Sequence, residues 1–166
     1  MKIVSVAAFC AVLVLPAIMF PLRAGAAPAQ DSGAVFKDVA GKEWFLSEVR
    51  NSGNTVTIDR QKLAADNMGG SFSITFNENQ VNGMGAPNRF FAPFTTGSNN
   101  SLGIGNLAST MMFAFKEPEG LNEKEYFDYL SKVTRWNLRD GQLELFCTVS
   151  DTVSDRSDAV LVFTLK

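Results

Sequence analysis

The sequence predicts an α+β domain in which a mostly antiparallel β-sheet curls around a core, with one late helix. Two observations lead to this fold class. From Phe36 onward, short apolar runs are separated by Gly, Asn and Asp at close intervals, which is typical of a β-rich chain. Only residues 123–133 show convincing helical periodicity, and they fall late in the chain, between two groups of predicted strands.

The first 26 residues are predicted to be a secretory signal peptide. Met1-Lys2 gives a positive start, residues 3–20 carry no charge, and Ala24-Gly25-Ala26 fits a cleavage site. Because 18 apolar residues approach a membrane-spanning length, a retained anchor is the alternative. Residues 27–35 are expected to be a flexible tether, which leaves 36–166 as the domain. We therefore expect a periplasmic or secreted protein.

Short strands are expected in the first half of the domain. Residues 44–46 are apolar, and residues 55–58 alternate well enough for a short strand. The clearest strand is 71–76, where Phe and Ile side chains alternate with hydroxyl side chains. Residues 80–83 begin a return strand after an Asn-rich turn. Residues 60–70 have little period and are predicted to be a loop or one helical turn.

The middle of the domain is rich in glycine, proline and aromatic residues. Residues 83–94 contain four Phe or Met side chains and are predicted to form a packed loop. Residues 97–106 predict a glycine-rich turn and the start of a strand. Residues 109–115 form an apolar run, which Pro118 and Gly120 interrupt.

The late helix has a clear start and one apolar stripe. Asn122 and Glu125 have the spacing of a capping box. Tyr126, Leu130 and Val133 fall on one face of the helix.

Closing strands are expected after the helix. Residues 134–138 and 143–149 flank the Asp140-Gly141 hairpin turn, and residues 159–165 form the last strand. Residues 150–158 are predicted to be a polar loop.

The composition excludes several classes of function. Without His, the chain has no Ser-His-Asp triad, no Cys-His pair and no His-ligated metal. A net charge of −2 offers no basic surface for nucleic acid. Beyond the predicted signal peptide only Cys147 remains, in an apolar run, and it is expected to be a buried, inert thiol. We expect no cofactor and no enzymatic activity.

Three patterns that could indicate a binding or catalytic site have simpler structural explanations. Residues 103–108 match the letters of a dinucleotide fingerprint but lack its strand-to-helix context, so a glycine-rich hairpin is predicted. Acidic residues near the C-terminus lack the spacing of a calcium loop and predict a solvated loop; they are Asp151, Asp155 and Asp158. Carboxylates on the helix are explained by capping and solvation; they are Glu123, Glu125 and Asp128.

Five phenylalanines cluster in one third of the chain: Phe90, Phe91, Phe94, Phe113 and Phe115. Two interpretations remain open. They line an apolar ligand pocket at a barrel mouth, or they form the core, which is the commoner arrangement.

Four motifs carry a family resemblance: Gly41-x-x-Trp44-x-Leu46, Val81-x-Gly83, Asn88-Arg89-Phe90-Phe91 and Ser109-Thr110-Met111-Met112. Phe76 at a strand end and a helix carrying Glu125 add to them. In this order, over about Phe36 to Lys166, the chain resembles the META/HslJ domain family.

The chain departs from the family pattern at two places. Ala86-Pro87 precedes Asn88 where the family often has Cys, and Met112-Phe113-Ala114 stands where it often has Met-Ala-Cys. The joint loss suggests that Ala86 and Ala114 are neighbours in space, in a region refilled by Phe and Pro packing.

The resemblance implies a small antiparallel barrel-like domain with one helix, exported or envelope-associated in bacteria, with some members linked to stress response. It supplies no catalytic residues, and it implies structural roles for Asn88 and Thr110. We expect a non-enzymatic envelope protein that acts through protein contacts in stress response. The candidate ligand or partner surface comprises Asn88, Arg89, Phe90, Phe91 and Phe94.

Two other functions remain open. The first is a carrier of a small apolar ligand in the barrel mouth, and the second is a hydrolase that uses carboxylates alone. The expected partner is thus an envelope protein or a small apolar ligand. We expect no nucleic-acid partner. We expect contact with a membrane only through the signal segment, before it is cleaved.

Overall fold

A computed structural model describes residues 35–151 and 155–166, with side chains described outside 149–158. The predicted signal peptide and all but the last residue of the predicted tether lie outside the described residues. So do the side chains of the three acidic residues near the C-terminus. No helix in the described part of the chain has the length and apolarity that a membrane span requires.

The described chain forms ten strands, two α-helices and one turn of 3-10 helix at Phe36–Asp38. The strands are β1 Glu43–Asn51, β2 Asn54–Thr57, β3 Ser73–Asn77, β4 Gln80–Met84, β5 Arg89–Thr96, β6 Leu102–Ile104, β7 Ala108–Ser109, β8 Val133–Arg139, β9 Gln142–Asp151 and β10 Asp155–Leu165. The helices are α1 Arg60–Ala65 and α2 Glu123–Ser131.

The strands form one antiparallel sheet that nearly closes on itself. Its order is β6-β5-β4-β3-β1-β10-β9-β8, with β2 beside β1 and β7 beside β5. The two ends of this order meet where the Trp136 backbone N–H donates to the Asn100 carbonyl at 2.9 Å. Ser101 also forms a β-bridge with Arg135. The predicted α+β class with a curled sheet and one late helix is confirmed.

Two aromatic clusters fill the interior of the barrel. One contains Phe36, Phe76, Phe94 and Trp136, with ring centroids 5.2–5.5 Å apart. The other contains Phe72, Phe90, Tyr126 and Phe127, with centroids 5.2–6.0 Å apart. Six of these eight ring pairs are edge-to-face, a geometry that aromatic pairs prefer in cores. The inward face of the sheet is therefore occupied by packed rings.

Buried polar groups in this core are accounted for. The Tyr126 hydroxyl donates to the Ser73 carbonyl at 3.1 Å, and burial raises the pKa of Tyr126 well above its usual value. Cys147 is buried as expected, and burial raises the pKa of its thiol to about 12.

Several local predictions are confirmed. Asn122 and Glu125 form the capping box that starts α2, and Tyr126 and Leu130 are its buried residues; Val133, predicted on the same helical face, instead begins β8. Asp140 and Gly141 both have positive φ in the β8–β9 turn, as a tight hairpin requires.

Two local predictions are wrong, and a third is confirmed in its helical form. Residues 83–94 are not a packed loop: they contain the end of β4 and most of β5, joined by a short turn. Of the loop or helical turn predicted for residues 60–70, the helical alternative holds: they begin with the six-residue α1, which the Asp59 side chain caps by accepting from the Lys62 N–H at 2.9 Å. The polar loop predicted at 150–158 overlaps two strands, because β9 runs to Asp151 and β10 starts at Asp155.

Candidate functional site

The five predicted surface residues do not form one surface. Strand alternation along β5 turns Arg89 and Phe91 outward and Phe90 inward, where Phe90 is 2% exposed. Phe94 packs against rings in the other interior cluster, and Asn88 is buried. Only Arg89 and Phe91 are thus brought together on the outside.

Glu123 organises the turn between β4 and β5. Its Oε1 accepts from the backbone N–H groups of Ala86 and Asn88, both at 2.6 Å, and its Oε2 accepts from Asn88 Nδ2 at 2.7 Å. The prediction that capping and solvation explain Glu123 is therefore wrong, although Glu125 does cap the helix. Three hydrogen bonds to a carboxylate fix α2 against the start of β5.

Asn88 connects this junction between α2 and the start of β5, the Asn88 junction, to the segment that follows β7. Its Oδ1 accepts from the Thr110 hydroxyl at 2.9 Å and from the Met112 N–H at 2.6 Å, and its Nδ2 donates to the Met112 carbonyl at 3.2 Å. The Arg89 N–H in turn donates to the Thr110 hydroxyl at 3.1 Å. The structural roles expected for Asn88 and Thr110 are confirmed, while the proximity of Ala86 and Ala114 stays a prediction.

Beyond this junction, residues 111–115 form an apolar loop on the surface. Met111 is 97% exposed, Phe113 84% and Phe115 100%, and Met112 is about half exposed. The core interpretation of Phe113 and Phe115 is therefore wrong, and their rings contact each other with centroids 6.1 Å apart. A run of consecutive apolar residues has neither helical nor strand periodicity, so the sequence does not distinguish a buried segment from an exposed one here.

The apolar loop is fastened at both ends. Asn88 holds Met112 at its start, and a salt bridge of 2.7 Å from Lys116 to Asp66 holds the residue that follows it. Lys62 also pairs with Glu119, so residues 116–120 lie along α1 around a small cleft of about 190 Å³. The exposed rings thus project from a backbone that is held by Asn88 on one side and by Asp66 on the other.

One thiol lies within the described residues. Cys147, with a pKa of about 12, remains a thiol at neutral pH and lacks nucleophilic character. Among the described side chains, those of residues 35–148 and 159–166, no three Cys, Asp or Glu groups lie together as a metal site requires.

Comparison with known proteins places this fold in a family. The family model of the META domain matches residues 37–163. A crystal structure of a DUF4847 family protein from Bacteroides vulgatus shares the fold, with a TM-score of 0.50 and 13% identity over 79% of this chain and 96% of that one. No curated protein matches the sequence significantly. The antiparallel barrel, its late helix and the match over nearly the whole described domain show that the chain belongs to the META domain family.

Proposed function

We propose that this META domain protein is exported, is not an enzyme and acts through protein contacts in the response to envelope stress. The apolar loop at 111–115 is its contact surface. Export rests on the signal-peptide pattern of residues 1–26, and the stress role rests on the META/HslJ resemblance. The single observation that carries the contact surface is the exposure of Phe113 and Phe115.

The size of the exposed surface supports a functional role. Two phenylalanines and two methionines expose on the order of 500 Å² of apolar surface, comparable with the largest apolar patch of a typical monomer. Such patches mark interaction sites, because leaving them in water is costly. The fixed ends of the loop reduce the entropy lost on binding, since the backbone is ordered in advance.

The occupant we propose is a different protein that has an apolar groove. The loop projects from the barrel, and a symmetric dimer requires a patch that is complementary to itself. Its area also falls below the roughly 800 Å² that each partner contributes to a standard interface, and well below that of an obligate dimer. Both features favour a transient contact with a concave partner over a second copy of this chain.

The test uses a photocrosslinking amino acid at position 113 or 115 in the protein's own cells. Val35 is also apolar and more than half exposed, so a crosslinker at position 35 is the matched control. We expect one discrete envelope-protein adduct from 113 and 115, none from 35, and loss of the 113 adduct when Phe115→Ser is added. Equal adducts from all three positions, or none from the loop, would overturn the proposal.

The alternative, a carrier of a small apolar ligand, gains no support from the geometry. Phe90 and Phe94 point into the barrel, where each makes ring contacts with two neighbours. The inward side chains therefore serve the packing of the core.

A further inference from the structure

We infer that a cleft on the outer face of β3, β4 and β5 is a binding site for an oligosaccharide. The cleft has a volume of about 440 Å³, within the range of small-ligand sites. It uses the outward side chains of Arg89 and Phe91 and none of the apolar loop. The inference thus goes beyond the proposed protein contact and does not depend on it.

Strand register places the lining side chains in two rows across the sheet. The first row runs Glu43, Thr75, Asn82, Phe91, each paired with the next on the neighbouring strand. The second row runs Ser73, Met84, Arg89. At about 4.8 Å between strands, the first row spans about 14 Å, with a carboxylate at one end and an aromatic ring at the other.

The polar side chains of this cleft have no partners within the described chain. Glu43, Thr75, Gln80, Asn82 and the Arg89 guanidinium form no side-chain hydrogen bond or ion pair there. On other strands of the same sheet the comparable groups are paired, since Arg50 contacts Glu48 and Glu144, and Asn137 donates to Glu144. The cleft therefore presents an unused set of donors and acceptors around one ring.

Ser73 marks the floor of this site. It lines the cleft although it is only 4% exposed, and its hydroxyl has no hydrogen-bond partner in the described chain. No enclosed side-chain oxygen or nitrogen among the described residues lacks a hydrogen-bond partner, so this unpaired hydroxyl reaches the open surface of the cleft and is available to a ligand oxygen.

The position of the cleft on the sheet indicates the ligand class. β3 and β4 each have a hydrogen-bonded strand on both sides, so an extended peptide has no free backbone edge to pair with. One arginine opposed by one glutamate does not suit nucleic acid or polyphosphate.

Recognition must therefore come from side chains. Amides, hydroxyls, one carboxylate and one guanidinium match the hydroxyl groups of a sugar as donors and acceptors. The half-exposed ring of Phe91 offers a flat apolar face to the C–H face of a sugar ring.

The experiment titrates the exported protein with chitotriose, maltotriose and cellotriose at millimolar concentration, followed by backbone-amide NMR. We expect at least one trisaccharide to bind saturably and to shift the amides of Ser73, Thr75, Asn82 and Phe91. Phe91→Ala and Asn82→Ala should each weaken binding about tenfold, the effect of losing one stacking or hydrogen-bonding contact. Phe115→Ala, an exposed ring outside the cleft, should leave the affinity unchanged.

The proposal is overturned if none of the three trisaccharides binds, if the shifted amides lie elsewhere, or if both cleft variants bind like the wild type. Saturable binding of an unstructured peptide at these amides, without sugar binding, would also overturn it. Both substituted side chains point outward, so unchanged amide spectra away from the cleft will verify that the variants fold. If Asn82→Ala unfolds, Gln80→Ala replaces it.

Discussion

Phenylalanine takes opposite environments on the two sides of the Asn88 junction. Phe90, two residues after Asn88, is buried against Tyr126 and Phe127, whereas Phe115 is fully exposed. The difference follows from backbone position: strand alternation turns Phe90 inward, and the hydrogen bonds from Asn88 hold the apolar loop outside the barrel. Hydrophobicity alone therefore does not decide which rings of this domain form the core.

The largest expected effect is the loss of stability when the buried ring, Phe90, is removed. Phe90→Ala should lower the free energy of unfolding by about 3–5 kcal/mol, because it leaves a cavity among packed rings. Phe115→Ala is the matched control and should change stability by less than about 0.5 kcal/mol. Urea unfolding followed by tryptophan fluorescence measures both. Similar losses for the two variants would contradict the contrast.

A smaller effect is expected at the junction itself. Glu123→Ala removes the acceptor of two backbone N–H groups and of the Asn88 amide, so a loss of about 1–3 kcal/mol is expected. Glu125→Ala, two residues along the same helix, removes part of a cap and should cost about 1 kcal/mol or less.

The two helix variants should also differ at the apolar loop. Because Glu123 orients Asn88, and Asn88 holds Met112, Glu123→Ala should speed hydrogen exchange of the Met112 amide. Glu125→Ala should leave that exchange rate unchanged. Equal exchange in the two variants would contradict the coupling.

Alkaline pH should also separate the interior from the loop, through the buried Cys147 thiol. The Cys147 thiol ionises near pH 8.5 in the unfolded chain but only near 12 in the fold. Above pH 8.5 the unfolded state therefore binds fewer protons, and stability falls by up to about 1.4 kcal/mol per pH unit as pH rises. Below pH 8.5 this contribution is independent of pH.

Urea midpoints between pH 8 and 10 test this linkage. Cys147→Ala should flatten the decline up to about pH 10, where the unfolded chain's tyrosines begin to ionise and the raised pKa of Tyr126 takes over. Phe115→Ala should keep the wild-type slope, because residues 111–115 contain no titratable side chain. An unchanged slope in Cys147→Ala would contradict the expected role of the thiol.

Local patterns in the sequence predict much of the fold. The alternation of Phe72, Ile74 and Phe76 places the inward face of β3, and the spacing of Asn122 and Glu125 marks the start of α2. Both are interactions between near neighbours in the chain. Family motifs over the whole domain added the barrel-like closure, which local patterns do not determine.

The surfaces that we propose as functional depend on distant pairs. Glu123 contacts residues about 35 positions away, and nothing near it in the sequence signals those partners. The cleft arises from cross-strand register, in which Glu43 and Phe91 end one row. β5 itself was missed because Pro93 and the preceding Gly-Ala-Pro turn indicated a loop.

The most direct test of the account uses cells that lack this protein and receive one of three genes. The measurement is the survival of these cells under envelope stress. The wild type and Val35→Ser, which alters an exposed apolar side chain outside the loop, should restore survival. Phe113→Ser/Phe115→Ser, exported and folded to the same level, should leave survival at that of the deletion strain. Full restoration by this double variant would contradict the claim that the protein acts through the apolar loop.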